Sequence, residues 1–408
     1  MAAVLFVVLM DIVGIGIISP LFPFYAMRTG ATPGAIMFCM ALYSAALFIS
    51  APLLGRLSDK YGRKTVMATS LLGSIAGYVL LMCATNIWMI ALSRLIGGAM
   101  AGNFSAAQAY IADHTDESSR PRMMGMFGAA MGLGFILGPV LGSLLGGESF
   151  AAANFFAPAF AAILLSAVGL LSVIVFVKEK PLLHTEPQRS KSSRLSLGAA
   201  LREAHIEGPQ AGLLIKAAIC IVLYQTASGL YETIFPIWAK DHSIASGPKG
   251  LLPIFLAGGF GYVFIQAVIG KIVNENNERR VLIIGSLVYM TAHLLMPLSG
   301  RYSSTIAVIL LTGVTACAAG LVFSTSQILI SCCVGTTARG FVLGSINSLG
   351  MLGKTVAIAV SGFIYSHIGS HAPYFFSAVL ALALMTNALL MKRGATSNEP
   401  SQSAENMI

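Results

Sequence analysis

Apolar stretches of about 20 residues recur along the chain, and short polar segments separate them. A run of this length can cross the hydrocarbon core of a bilayer as a helix. The first run contains Asp11 and several Gly and Pro residues, so we interpret it as a retained helix and not as a cleaved signal peptide. The pattern predicts twelve membrane spans, numbered 1 to 12 below, near residues 3–27, 34–54, 65–84, 87–111, 122–146, 154–177, 212–238, 250–270, 281–298, 304–330, 341–365 and 373–391.

One long polar segment divides these spans into two sets of six. Residues 178–209 are rich in charge and contain three prolines, which is typical of a linker. Gly55 and Asp59 after span 2 have the same spacing as Gly270 and Asn274 after span 8, which indicates a weak internal repeat. The sequence therefore predicts an all-α membrane protein with twelve transmembrane helices in two pseudo-symmetric six-helix bundles, an arrangement typical of transporters. The predicted parts are an N-terminal bundle over 1–177, a cytoplasmic linker over 178–211, a C-terminal bundle over 212–391 and a cytoplasmic tail over 392–408.

Charge changes the picture only through its distribution. The chain is 56% hydrophobic and 10% charged, whereas a soluble domain has about 25% charged residues, so this chain needs lipid around it. Most basic residues fall in the connections on one side, and by the positive-inside rule that side and both termini are cytoplasmic. We attribute the net charge of +9 to this topology and to contact with anionic lipids, and we predict no nucleic-acid partner. The only Lys and Arg residues in the outer connections are Arg28, Lys240, Lys249 and Arg301.

The segment "GRLSDKYGRK", residues 55–64, places five charged side chains between spans 2 and 3; we call it the charged loop. Asp59 and Arg63 are four residues apart and can share one side of a helix end. Gly55 and Gly62 would permit a tight backbone there. Two interpretations remain open: the charged loop gates the transporter, or its bases only set the topology.

The spacing of Gly55, Asp59, Gly62, Arg63 and Lys64 closely resembles the loop motif of the major facilitator superfamily. "SRLIGGAMAG" at 93–102 resembles the family's fourth-span motif around Arg94, and "GFILGPVLGS" at 134–143 resembles its fifth-span antiporter motif, with Ser143 where a second Gly is usual. "DIVGIGIISPLFPF" at 11–24 and "AYIADHT" at 109–115 are similar to the tetracycline-exporter branch of the drug:proton antiporters. The resemblance implies the major facilitator fold and a bacterial inner membrane. It also implies a network of Asp59, Arg63 and Asp113 that touches span 11 near Gly340 and latches the two halves when the cavity faces out.

Span 5 carries glycines at every fourth position, at 134, 138, 142 and 146. This spacing aligns them on one stripe of a helix, where another backbone can approach closely. Pro139 interrupts the helical hydrogen bonding and allows a bend. We predict a packing seam, and the resemblance to exchangers adds a gating role for Gly138, Pro139 and Gly142 that hinders leakage by the empty carrier.

Charged residues inside apolar spans are the main functional signal. Each is costly at membrane depth unless it meets a partner or a wet cavity. We predict that Asp11, Arg94 and Glu232 couple transport to protons. Two possibilities stay open for Asp11 and Arg94. Either the Asp11 carboxylate changes its protonation state during transport, or the two residues form a purely structural ion pair.

Substrate contacts are predicted mainly on span 7. Tyr224, Ser228 and Tyr231 recur at helical spacing, and Gln225 lies beside them. These side chains either line a cavity or pack against neighbouring helices. Lys354 in span 11 either neutralises Glu232 or Asp11 or attracts an anionic substrate. Asn347 is a further candidate, with Asn103, Gln108 and Gln327 as weaker ones.

Signals for soluble enzymes are missing from the sequence. It contains no phosphate-binding loop, no H-E-x-x-H motif and no paired-cysteine metal site, so we predict no enzymatic activity, cofactor or metal. The favoured function is proton-coupled export of a small lipophilic or drug-like solute by alternating access. The alternatives are a proton-coupled or facilitative uptake carrier for a nutrient or metabolite, and a receptor or scaffold. The predicted partners are a small-molecule substrate, protons and membrane lipids, and the predicted unit is a monomer.

Overall fold

The computed structural model describes residues 1–101, 103–116, 119–150, 155–179, 209–274, 277–334 and 339–391. Most of the predicted linker and the whole predicted tail lie outside these ranges. Within them no β-strand occurs, eleven helices are long and apolar enough to cross a membrane, and a shorter apolar helix, Ala2–Ile18, begins span 1. The all-helical membrane fold predicted from the sequence is confirmed.

The helices follow the predicted spans closely. In chain order the spans comprise Ala2–Ile18 with Phe22–Met27, Pro33–Tyr61, Arg63–Met82, Ile87–Met100 with Asn103–Asp113, Arg120–Gly146, Phe156–Phe176, Pro209–Tyr231 with Phe235–Asp241, Leu252–Ile272 after the 3-10 turn Pro248–Leu251, Glu278–Arg301, Thr305–Cys333, Arg339–His367 and Ala372–Leu389. Because successive helices run in opposite directions, the charged loop and both helical chain ends lie at one face, the charged-loop face. We call the other end of the molecule the opposite face.

Most of the charged loop is helical. Span 2 was expected to end near residue 54, but its helix continues to Tyr61, and span 3 begins at Arg63. Only Gly62 stands between them, with φ +93°, a conformation that favours glycine. Gly55 lies inside the helix without a positive φ, so the tight backbone expected at Gly55 is wrong.

Spans 1 and 7, the first span of each half, share one irregularity. Each stops before the opposite face and resumes as a short helix that begins with Phe-Pro, at Phe22 and at Phe235. Proline is tolerated in a first helical turn because its missing N–H would be unpaired there. The shared break supports the pseudo-symmetry of the two halves.

The hydrophobic cores show how the halves meet. At the charged-loop face each half has its own core, one from spans 1, 3, 4, 5 and 6 and another from spans 7, 9, 10, 11 and 12. At the opposite face a single core contains residues of both halves, including Ile17, Phe24, Ile237 and Trp238. A methyl group added to Gly128 or Gly344, both toward the charged-loop face, would meet nothing within 4 Å. The two halves are therefore closed against each other at the opposite face, and their described residues form separate cores toward the charged-loop face.

Candidate functional site

Asp11 is a buried carboxylate in span 1. Its side chain is 1% exposed, and Asn103 Nδ2 donates a hydrogen bond to Oδ2 at 3.3 Å. Asn103 is the first residue of the helix Asn103–Asp113 of span 4, and this helix carries its amide beside the carboxylate. Asp11 Oδ1 has no hydrogen-bond partner among the described residues. Among the described residues, an ionised Asp11 would thus receive one side-chain hydrogen bond, from the Asn103 amide, to stabilise its charge inside the membrane.

Arg94 does not pair with Asp11. No ion pair joins the two side chains in the described part of the chain, so the structural ion pair considered from the sequence is not formed. The Arg94 guanidinium instead lies 5.1 Å from the ring centre of Phe22 and 5.8 Å from that of Tyr43. Aromatic faces attract a cation through their quadrupole, which offsets part of the cost of burying Arg94.

Glu232 and Lys354 form the ion pair that the sequence left open. Lys354 Nζ lies 2.6 Å from Glu232 Oε2, and the two side chains are 25% and 39% exposed. Glu232 falls in the break of span 7, between Tyr231 and Phe235, and Lys354 comes from span 11. The pair neutralises both charges and joins two spans of the second half.

The polar side of span 7 faces its neighbours more than a cavity. Ser228 is buried and its Oγ donates to the carbonyl of Gln225 at 3.0 Å. Tyr231 contacts the ring of His293 in span 9, with ring centres 4.4 Å apart. Gln225 packs against Gly350 of span 11, where an added methyl group would lie 3.0 Å from its Cγ. Asn347 is partly buried, and its Oδ1 has no hydrogen-bond partner among the described residues.

A cavity that sequence reasoning largely missed lies between spans 8 and 10. Gln266 Nε2 donates to Tyr262 Oη at 3.1 Å, and Ser324 Oγ donates to Gln266 Oε1 at 2.8 Å, so both ends of the amide are held. Tyr224 of span 7 lies beside this cavity, with its ring centre 5.7 Å from that of Phe323. Polar residues four apart in apolar span 8 were the signal available in the sequence. The cavity measures about 490 Å³ and has an uncharged lining of Gln266, Ile269, Phe323, Ser324, Gln327, Ile328, Ser331 and Cys332.

The charged loop carries a network centred on Arg63. Its guanidinium contacts Asp59 at 2.5 Å and Asp113 at 3.0 Å, so the three residues named by the family resemblance lie together. Lys64 Nζ donates to the carbonyl of Ile174 at 2.8 Å, which ties span 3 to span 6. All these contacts lie within the first half. The predicted contact of the network with span 11 near Gly340 involves side-chain surroundings outside the described residues and stays a prediction.

The glycines of span 5 pack against span 1. A methyl group added to Gly138 would lie 2.5 Å from Gly16 Cα, and one added to Gly134 would lie 2.6 Å from Ile12 Cγ2. A methyl group on Gly142 would overlap the carbonyl of Ile17. Pro139 stands in the same seam, and the helix continues through it to Gly146. The seam holds span 5 against the helix that carries Asp11.

Contacts between the loops close the opposite face. Lys249 N donates to the carbonyl of Gly147 at 2.9 Å, and Phe150 N donates to the carbonyl of Ser246 at 3.3 Å. Gly247 packs against the backbone of Glu148 so tightly that an added methyl group would overlap it. Lys249 Nζ also contacts Glu148 Oε1 at 2.9 Å, and this hydrogen bond and charge lower the pKa of Glu148. The loop after span 5 and the loop before span 8 thus join the two halves.

The described residues combine a buried carboxylate, an ion pair in the second half, an uncharged cavity and one closed face. This combination is typical of a membrane carrier. The chain belongs to the major facilitator superfamily, whose family model matches residues 4–216 and again residues 217–406. The boundary between the two matches falls near the start of span 7, where the second half begins. The protein is therefore a multi-pass membrane protein and a secondary transporter of small molecules, and its family is not a family of enzymes.

The sequence is similar to those of known proteins over most of its length. It is 28% identical over 351 residues to the class G tetracycline resistance protein of Vibrio anguillarum, which covers 85% of each chain. It is 27% identical over 405 residues to the class H tetracycline resistance protein of Pasteurella multocida, covering 96% of each. Its fold resembles the human organic anion transporter MFSD10 (TETRAN), with a TM-score of 0.68, 22% identity and coverage of 95% and 98% of the two chains.

Proposed function

We propose that the protein exports a small lipophilic or drug-like solute in exchange for protons, by alternating access. The observation that carries this proposal is the buried carboxylate of Asp11, which has one unpartnered oxygen and no paired cation among the described residues. An ionised carboxylate at membrane depth is costly, whereas a protonated one is not. Solute or water that reaches Asp11 when the halves move would therefore change the cost of holding its charge, and this links proton release to solute binding.

Two further features support alternating access. The molecule is closed at the opposite face by packing and backbone hydrogen bonds, and the described residues of the two halves form separate cores toward the charged-loop face. The excess of Lys and Arg at the charged-loop face favours a cytoplasmic position for that face and for both termini. In this orientation the space between the two halves receives solute from the cytoplasm of a bacterium. The protein then exports the solute across the inner membrane. The two bundles and both gates belong to one chain, which supports a functional monomer.

Several lines of argument support a drug-like solute. The relatives are named as tetracycline resistance proteins. The cavity between spans 8 and 10 offers aromatic and neutral hydrogen-bonding groups, and the nearby charges of Glu232 and Lys354 neutralise each other. In this proposal Tyr224, Gln266 and Gln327 contact the solute.

The gating residues act at the charged-loop face. When the cavity opens toward the opposite face, the charged-loop ends of the halves must approach. The network of Asp59, Arg63 and Asp113 would then meet the N-terminus of span 11, whose dipole favours an acid. The side chain of Asp59 is 64% exposed while it pairs with Arg63, so it is accessible for that contact.

Flux in proteoliposomes tests the proposal. Purified protein is reconstituted, a pH gradient is imposed, and uphill movement of tetracycline is measured. We expect the parent to move solute against the proton flow and Asp11→Asn to lose uphill movement, because Asn cannot release a proton. The matched control is Asp116→Asn, which makes the same change at an exposed site outside the spans and should keep the gradient-driven flux.

The direction of flux separates export from uptake. Movement of solute together with protons would assign a proton-coupled uptake carrier, and flux independent of the pH gradient would assign a facilitative carrier. Full gradient-driven accumulation by Asp11→Asn would remove Asp11 from the coupling step and direct attention to Glu232.

A further inference from the structure

A cluster of one indole and two imidazoles lies at the opposite face. Trp238, on the short helix Phe235–Asp241, is fully buried, and its Nε1 donates a hydrogen bond to His371 Nδ1 at 3.1 Å. His371 directly precedes the helix of span 12 and is only partly buried, so part of this residue is accessible to solvent at the opposite face. The ring of His242 lies 4.6 Å from that of His371 and 4.9 Å from that of Trp238, between ring centres.

The hydrogen bond fixes the protonation state of His371. An indole N–H can only donate, so Nδ1 of His371 must carry a lone pair and the ring must be neutral. Proton binding at Nδ1 would set two N–H groups against each other and break the bond to Trp238. His242 adds to this effect, because a second positive imidazole 4.6 Å away would repel the first.

The surroundings offer His371 no compensating carboxylate. Asp241 accepts a hydrogen bond from Tyr365 Oη at 2.7 Å, and no ion pair joins His371 to an acid in the described part of the chain. Burial and the neighbouring His242 therefore lower the pKa of His371. Besides His242, the charged and titratable residues at the opposite-face ends of spans 7, 9, 11 and 12 are Lys240, Asp241, Arg301, Tyr302, Tyr365, His367 and Tyr374.

Trp238 connects this cluster to the closure of the molecule. It belongs to the core that contains residues of both halves, and its short helix packs against the helix Phe22–Met27 of span 1. The indole also fills the space beside Gly300 of span 9, where an added methyl group would overlap it. Because the site is closely packed, an indole that loses its acceptor cannot reorient without disturbing this core.

We propose that His371 is a proton-binding site at the opposite face, and that its protonation releases Trp238 and loosens the closure of that face. The role in transport rests on the proposed function: protons arriving outside would promote opening toward the side from which Asp11 is reprotonated. The sign follows from the chemistry. The closed state holds His371 neutral, so its advantage over the open state is complete above the ordinary histidine pKa of about 6.5 and declines as the pH falls below it.

Fluorescence tests the proton site without any transport. The chain has two tryptophans, and the other, Trp88, is 80% exposed, so Trp88→Phe leaves Trp238 as the single reporter. We expect its emission to change in one transition as the pH falls below about 6.5. His371→Gln should abolish the transition, since the Gln carbonyl accepts the same hydrogen bond but does not titrate. His242→Gln should keep the transition and raise its midpoint, because a repelling neighbour is removed.

A second measurement tests the loosening itself. In a chain that keeps only Cys83, which is exposed at the same face, Leu21→Cys adds a thiol at a site that is 2% exposed in the closed structure. Both thiols are labelled with an impermeant thiosulfonate. The labelling rate of the cysteine introduced at Leu21, divided by the rate of Cys83, should rise severalfold as the pH falls from about 7.5 to about 5.5. The ratio should not change with pH when His371→Gln is added.

A fluorescence transition that survives His371→Gln, or that disappears only with His242→Gln, overturns the assignment to His371. A labelling ratio that stays constant with pH in the parent overturns the coupling to closure. The proposed function fails separately: a chain with an intact His371 titration but no proton-driven flux would keep the proton site and lose the exporter.

Discussion

Asp11 and Glu232 are both carboxylates within apolar spans, yet among the described residues a cation pairs with Glu232 and none with Asp11. The sequence predicted that both are exceptional, since a charge inside a span is costly. It could not predict their partners, because pairing depends on the rotation of each helix and on the break of span 7. Lys354 therefore pairs with Glu232, and in the described part of the chain the side chain of Asp11 receives its hydrogen bond from Asn103.

The pairing of Glu232 with Lys354 leads to a prediction about stability. Lys354→Gln should destabilise the protein because it leaves the Glu232 carboxylate without its partner. Since both side chains are partly exposed, we expect a loss on the order of 1–2 kcal/mol. The double variant Glu232→Gln/Lys354→Gln should recover much of it in thermal unfolding in detergent. Additive losses in the double variant would show that the pair contributes nothing.

We expect opposite effects on stability when Ala replaces each of the two glycines of the charged loop. Gly62 has φ +93°, and the Glu179 carboxylate occupies the space of an added methyl group, so Gly62→Ala should destabilise by about 1–2 kcal/mol. Gly55 lies in a helix with open space around it, so Gly55→Ala should be neutral or stabilise by up to about 1 kcal/mol. Equal effects of the two variants on the melting temperature would contradict this distinction.

At the scale of elements, periodicity predicted where helices lie better than how they end. The spans exceed four turns of apolar sequence, so their positions follow from length alone. The breaks at residues 19–21 and 232–234 depend on Phe-Pro pairs that are equally compatible with a kinked continuous helix. The continuation of span 2 to Tyr61 was missed because its last turns are charged and extend beyond the apolar run.

The seam between spans 1 and 5 yields an element-level prediction. Gly138→Leu should lower the yield of folded protein and its melting temperature by several degrees, because the side chain would separate two backbones that touch. Gly128→Leu is the matched control, on the same helix but with nothing within 4 Å of an added methyl group. Size-exclusion profiles and melting curves in detergent compare them. A Gly138→Leu protein as stable as Gly128→Leu would exclude close packing as the reason for the glycine.

At the scale of the whole molecule, the sequence predicted two halves but not which face is closed. Both conformations of an alternating-access carrier use the same apolar pattern, so periodicity contains no information about the choice. The structure resolves it through contacts between distant loops, such as Gly247 against Glu148, which no local pattern predicts. The same limit hid the cluster of Trp238, His242 and His371, whose members are brought together from spans 7 and 12.

Closure of the opposite face should depend on backbone packing more than on its ion pair. Gly247→Leu would place a side chain where the backbone of Glu148 now lies, so the loops could not meet and the face should open. Lys249→Ala removes only an exposed ion pair, and pairs of this kind contribute little because water screens them. Labelling of Leu21→Cys relative to Cys83 should therefore become severalfold faster with Gly247→Leu and change little with Lys249→Ala. The reverse order would show that the Glu148–Lys249 charges hold the face closed, and that the close approach of the loops is only a consequence.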